Sequence, residues 1–265
     1  VNSDFYFAMG KSHMICQDYA YSGINSRGNH VAIVSDGCSS SPESDFGSRY
    51  IVRSAVICGS ALDIEDPNYF REMIARNVVG YASQFVMGLH LSQFCLDATL
   101  LYLEVQDDNI IVVTAEDGVV FAENLMGALE VWNIEYPSGS PYFPSYLLND
   151  ERREIYEQEC GTQRVKTFSL IDNDNAKDIS SQVDNVSCDC FVLNKKNYRF
   201  IGVASDGILT FDNMSKENAL RELTSFKNYT GEFVKRRMRK FLKQCHKENT
   251  FPTDDISMAV INLED

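Results

Sequence analysis

Residues 200–211 read FIGVASDGILTF. The apolar run Phe200–Ala204 stops at Ser205-Asp206-Gly207, and a run of that length closed by a turn signal reads as a buried strand. A carboxylate at the end of such a strand is held by a stiff sheet, and the glycine behind it lets backbone turn or approach closely. Taken alone, Asp-Gly is a common hairpin turn. The ending recurs, however. Residues 30–37, HVAIVSDG, finish on Ser-Asp-Gly, residues 110–118, IIVVTAEDG, finish on Glu-Asp-Gly, and Asp254-Asp255 heads the apolar run ISMAVINL. Strands that deliver aspartates from distant parts of a chain are what a site for a hard cation needs.

Outward from these endings, the chain divides into blocks. DFYFAM (4–9) reads as a first strand, and NSRGN (25–29) as the turn that feeds the strand ending at Asp36. CSSSPESD is a small-residue loop in which Ser44 or Asp45 is placed to cap a helix over residues 46–62, with Phe46, Tyr50, Ala55 and Leu62 near one face. A second helix is expected over 68–90, where Phe70, Ile74, Val78, Tyr81, Phe85 and Leu89 follow three- and four-residue steps. From Ala98 the period changes to that of a β-meander through ATLLYLEV, IIVVTAE and VVFAEN. Residues 134–163 hold Pro137, Pro141 and Pro144 and read as irregular surface chain. RVKTFSL is a further strand, Ile171–Asp189 a polar connection, and 215–248 returns to helix with Val234, Met238, Phe241 and Cys245 on one face. The basic residues around that face read as solvated rather than as a nucleic-acid surface. Runs of like elements point to an α+β fold, with helices packed on sheets, and no linker divides residues 1–265 into two domains.

The 265 residues carry a formal charge of −14, which argues against nucleic acid as a partner. The same charge would repel a phosphorylated substrate unless cations reversed the local potential. No stretch reaches the length of a membrane helix, and the eight cysteines lack zinc-type spacing, so a reducing cytoplasm is the expected setting. Histidines 13, 30, 90 and 246 show no paired ligand spacing either. Magnesium and manganese prefer oxygen ligands, and Asp36, Asp206 and Asp254 offer three carboxylates from strand ends. A pair of such cations would activate water and neutralise a phosphate. Gly-x-Ser-x-Gly, a P-loop and Gly-x-Gly-x-x-Gly are all absent.

The series Gly10-x-x-His13-x-x-x-Gln17-Asp18, VSDG (34–37), AEDG (115–118), ASDG (204–207) and DDIS (254–257) resembles the metal-dependent protein phosphatases of the protein phosphatase 2C (PPM) family, bacterial members above all. The resemblance implies a four-layer α-β-β-α sandwich of two mainly antiparallel sheets, and a binuclear magnesium or manganese centre that hydrolyses phosphoserine and phosphothreonine in proteins. By motif position, Asp36 would bridge both metals, the carbonyl of Gly37 would bind one, and Asp206 and Asp254 would hold the other. Asp18 would orient water from behind the ligands. Asp117 falls where the family places a ligand for a third, weaker metal, and His13 where many members have a phosphate-binding arginine. The segment 134–163 lies where members carry a flap that shapes substrate choice. Phosphorylated proteins, and a serine/threonine kinase system supplying them, are the implied partners, with no membrane among them.

Three positions depart from the pattern. Gln17 replaces a frequent glutamate, His13 an arginine, and Thr210 an aspartate found four residues after Asp206 in many members. They leave a second reading open, a catalytically weak or inactive relative that binds a kinase or another protein partner through the flap.

Overall fold

A computed structural model describes residues 1–61, 67–115, 117–172, 175–183 and 188–264. Two antiparallel sheets stack face to face. One holds seven strands in the order β1-β12-β11-β6-β7-β8-β9, the other five in the order β10-β5-β4-β3-β2. The strands are β1 (Asn2–Ala8), β2 (Tyr19–Ile24), β3 (His30–Ser35), β4 (Leu100–Gln106), β5 (Asn109–Ala115) and β6 (Gly118–Asn124). They continue with β7 (Leu129–Glu135), β8 (Arg164–Asp172), β9 (Asn175–Val183), β10 (Asp189–Asn194), β11 (Tyr198–Ala204) and β12 (Ile256–Asn262). The helices are α1 (Ser44–Ala61), α2 (Pro67–Gly88), α3 (Asp150–Cys160), α4 (Lys216–Thr224) and α5 (Phe233–Lys247).

The alternation of side chains across a strand builds the layers. On β3 and β4, Val31, Ile33, Leu100 and Tyr102 face α1 and α2, in a core with Ile51, Val52, Phe70, Ile74 and Val78. Their neighbours Ala32, Val34, Leu101 and Leu103 point the other way and meet Val120, Ala122, Ile201, Val203, Ala259 and Ile261 between the sheets. The outer face of the seven-stranded sheet, with Phe121, Phe200, Met258 and Val260, is covered by Leu220 and Leu223 of α4 and by Val234, Met238, Phe241 and Cys245 of α5. The result is the expected α-β-β-α sandwich. The basic side chains of α5 lie outside it, two of them paired as Lys235–Glu232 and Arg237–Glu222.

Several local expectations need correction. Ser44 and Asp45 lie within the first turn of α1 rather than before it, and Leu62 falls outside the described residues. On α2 the buried stripe runs through Phe70, Ile74, Val78, Val79, Ala82 and Val86, while Phe85 and Leu89 are exposed. The meander from Ala98 breaks in two: β4 and β5 pair with each other, but β6 pairs with β7 and β11 in the opposite sheet. Asp117-Gly118 is therefore a crossover between sheets, not a hairpin turn, and Glu116 falls outside the described residues. Gly118 has φ 130, a value that L side chains rarely adopt.

Two segments read as irregular have structure. Within 134–163 lie a short 3-10 turn, Pro144–Leu148, and α3, started by the Asn149 side chain accepting from the Arg152 backbone N–H. Its sequence DERREIYEQEC buries only Tyr156, too little for a periodic signal. Within the polar connection, β9 pairs with β8 along its length; residues 173–174 and 184–187 fall outside the described residues.

Candidate functional site

The strand endings meet in one cleft. Asp36 follows β3, Asp117 precedes β6, Asp206 follows β11 and Asp254 precedes β12, and all four line it together with His13, Gly37 and Thr99. The cause is topological. β11 and β12 are neighbours in the seven-stranded sheet, β3 and β4 in the five-stranded one, so the ends of two stacked sheets bring together residues far apart in sequence.

Backbone contacts set each carboxylate. The Asp36 N–H donates to Thr99 Oγ1 at 2.9 Å, the Thr99 N–H to the Asp36 carbonyl at 2.8 Å, and Gly37 bridges to Ala98. A Cβ on Gly37 would lie 2.6 Å from the Ser44 carbonyl, so only glycine passes here. Gly207 is tighter still, because its Cβ would meet the Asp255 carbonyl at 1.8 Å. Asp254 N–H donates to Thr210 Oγ1 at 3.2 Å, and that hydroxyl donates to the Gly207 carbonyl at 2.8 Å. Thr210 thus ties two strand endings together, a structural use for the position where the resemblance places an aspartate in many members.

Asp18 is fully buried behind the cleft. Its Oδ2 accepts from Ser205 Oγ at 2.6 Å, whereas Oδ1 has no hydrogen-bond partner. Burial pushes its carboxyl up to about 7, against the Ser205 hydrogen bond. Asp36 is raised well above the usual range by burial and then by the charges of Asp18 and Asp206. Burial, then the charge of Asp206, lifts Asp117 to about 8, and Asp206 is raised by burial and then by Asp254. These are carboxylates crowded together and shielded from water, with Lys216 offsetting part of the effect at Asp206.

The residue that the sequence reading passed over is Asp255. It is completely buried and accepts from the Gly10 N–H at 2.7 Å and the Gln17 N–H at 2.6 Å, pinning both ends of the loop that carries His13. His13 Nδ1 lies 2.9 Å from Asp255 Oδ2, as a charge contact rather than an aligned hydrogen bond, and Nε2 lies 3.4 Å from Asp254 Oδ1. Burial works against the His13 cation, but Asp255, Asp254 and Asp18 together raise its pKa. The signal in the sequence was the doubled Asp254-Asp255 at the head of β12: Asp254, in the bend before the strand, lines the cleft, and Asp255 is completely buried. Gln17 turns away from the cleft, its side-chain amide donating to Ser44 Oγ at 2.6 Å.

The donor set suits a hard cation in kind: carboxylates and a carbonyl, with an unpartnered buried carboxylate oxygen on Asp18 and mutual repulsion that a cation would relieve. Among the described residues, no group of three acidic, histidine or cysteine side chains is arranged to hold a metal ion as it stands.

Structures of known proteins share this architecture. Serine/threonine phosphatase Stp1 from Staphylococcus aureus superposes with a TM-score of 0.61 at 13% identity, covering 99% of this chain and 95% of that one. The serine/threonine phosphatase of S. agalactiae gives 0.60 at 15% identity, covering 99% of each chain. A C. elegans sex determining protein gives 0.59 at 12% identity, covering 100% of this chain and 65% of that one. At these identities the likeness is one of fold. No curated protein sequence matches the chain. The model of the protein phosphatase 2C family, by contrast, matches residues 9–249, from the His13 loop to the end of α5 and short of β1 and β12, and the chain belongs to that family.

Proposed function

We propose that residues 1–265 form one phosphatase domain that hydrolyses phosphoserine and phosphothreonine in proteins, with two magnesium or manganese ions held by Asp36, the Gly37 carbonyl, Asp206 and Asp254. The observation that carries this reading is the convergence of Asp36, Asp117, Asp206 and Asp254 on one cleft from four separated strand ends. Bound there, such ions would supply an acidified water and neutralise the phosphate's charge. The chain's own residues do the rest. Asp18 holds one oxygen on Ser205 and keeps the other free to orient water. His13, charged by Asp255, presents Nε2 at the cleft wall to a phosphate oxygen. Water attacks phosphorus, the bond to the serine or threonine oxygen breaks, and that oxygen leaves with a proton, without a phosphoenzyme. Asp117 would serve a third, weaker ion, with no support from Thr210.

A phosphoprotein is the substrate, supplied by a serine/threonine kinase system. The acidic surface disfavours nucleic acid, and no described helix is long and apolar enough to cross a membrane. All eight cysteines are free thiols, which fits a cytoplasmic setting.

The test is hydrolysis of a phosphoserine peptide with and without manganese, for the unaltered protein and for Asp36→Asn. Metal-dependent phosphate release that the substitution abolishes supports the reading. Folded protein that binds no manganese and releases no phosphate would point instead to the partner-binding relative, the alternative that the inward turn of Gln17 favours.

A further inference from the structure

One buried carboxylate beside the cleft belongs to none of the roles above. Asp97, 4% exposed, sits between the 3-10 turn Gln93–Leu96 and β4. Its Oδ1 accepts from Ser145 Oγ at 2.5 Å and its Oδ2 from Ser41 Oγ at 2.9 Å, while Arg152 Nη2 reaches both oxygens at 3.0 Å. The Asp97 carbonyl accepts from the Cys38 N–H at 2.8 Å. Three parts of the molecule therefore meet on a single residue: the loop directly after Asp36 and Gly37, the 3-10 turn Pro144–Leu148, and α3.

Arg152 is held from both sides as well. Its guanidinium stacks 4.5 Å from the Phe94 ring centre, in the body of the protein, and 4.7 Å from that of Tyr146, in the flap. The flap has a small aromatic core of its own, Tyr136, Tyr142 and Tyr156, and carries Pro141 and Phe143 into the lining of the cleft that holds the aspartates. An ion pair shielded on its carboxylate side, as here, contributes little net stability compared with apolar side chains of the same volume, but it demands one geometry. Here that geometry fixes the flap relative to the loop of Asp36.

We propose that Asp97 and Arg152 are positioning residues that clasp the flap to the Asp36–Ser41 loop, and so set how a phosphorylated peptide seats against Pro141 and Phe143. The proposal rests on the phosphatase reading for its substrate, though not for the clasp itself. Arg152 anchors only the flap, whereas Asp97 anchors the flap and the metal-side loop together, so the two residues give different phenotypes.

The experiment compares Arg152→Met, Arg152→Lys and Asp97→Asn by hydrogen exchange, manganese calorimetry and steady-state kinetics. Arg152→Met speeds exchange at the backbone amides of 139–149 and leaves the strands as they were. It raises KM for a phosphoserine peptide about tenfold, with kcat for p-nitrophenyl phosphate within about twofold and manganese affinity unchanged. Arg152→Lys restores part of the peptide KM. Asp97→Asn reproduces the flap effect and also weakens manganese binding. Unchanged exchange over 139–149 in Arg152→Met overturns the clasp, as does an equal loss on both substrates. If the unaltered protein hydrolyses neither substrate, the phosphatase reading falls, and the exchange result still upholds or overturns the clasp.

Discussion

His13 and Asp255 sit 2.9 Å apart, ring nitrogen to carboxylate, with the carboxylate completely buried and the ring at the wall of the cleft. The same carboxylate holds the Gly10 and Gln17 N–H groups, so a single side chain both charges the histidine and shapes the loop that presents it. Asp254, one residue before it, lines the cleft and lies 3.4 Å from the other ring nitrogen.

Asp255→Ala removes the acceptor for two backbone N–H groups. It should lower stability by about 3 kcal/mol, since each buried donor left unpaired costs about 1–3 kcal/mol. Urea unfolding monitored by tryptophan fluorescence measures this. Asp255→Asn, which keeps one acceptor oxygen, should lose less.

Asp36→Asn and Asp206→Asn should separate activity from stability. Each removes a carboxyl whose ionisation the crowded cleft resists, so at alkaline pH, where the cleft is forced to ionise, the metal-free variant should melt at a higher temperature than the unaltered protein. Turnover with manganese should fall about 100-fold or more, the loss expected when a metal's charge stabilisation is withdrawn. A variant that melts lower than the unaltered protein at that pH would contradict the crowding.

The stability of the metal-free protein should fall as pH rises. Asp18 at about 7 and Asp117 at about 8 stand above the usual 3.8, so between those limits the folded form holds protons that the unfolded chain has released. The stabilisation is present at the acid end of that window and is lost through pH 7 to 8. Thermal melts from pH 5 to 8.5 in chelator should show the decline. Saturating manganese should flatten it, and its binding at pH 6.5 should release protons.

Gly207→Ala places a methyl group on the Asp255 carbonyl, at 1.8 Å. Either β11 or β12 has to move, so stability should drop by about 3 kcal/mol, the upper end of overpacking costs. Manganese affinity, read by calorimetry, should fall with it, because Asp206 and Asp254 both hang on that junction.

The strands ending in carboxylates were legible because their cause is local. A buried strand needs a continuous apolar run, and a turn residue ends it, whatever the run later pairs with. HVAIVS, YRFIGVA and ISMAVIN show this, and so does the apolar face of α5. The sandwich followed from like elements in blocks together with the family motifs. Where tertiary context sets the outcome, local pattern was silent or misleading. IIVVTAEDGVVF carries the signature of a hairpin, yet its two strands belong to different sheets, because the choice of partner depends on which apolar face is already covered. α3 buries one side chain and β9 is an edge strand, so neither has a face that periodicity could reveal.

The amino-acid sequence by itself determined that aspartates such as Asp36, Asp206 and Asp254 would stand at the ends of buried strands, and the family motifs added Asp18 and Asp117. Only the tertiary structure decided that Asp255 faces inward to His13, that Gln17 turns from the cleft, that Thr210 links two strand endings, and that Asp97 joins the flap to the body. Those are contacts between residues far apart in sequence, up to 245 positions for Gly10 and Asp255. Their energy comes from hydrogen bonds and charges shielded from water, and burial of that kind exists only once both sheets and the helices outside them have packed.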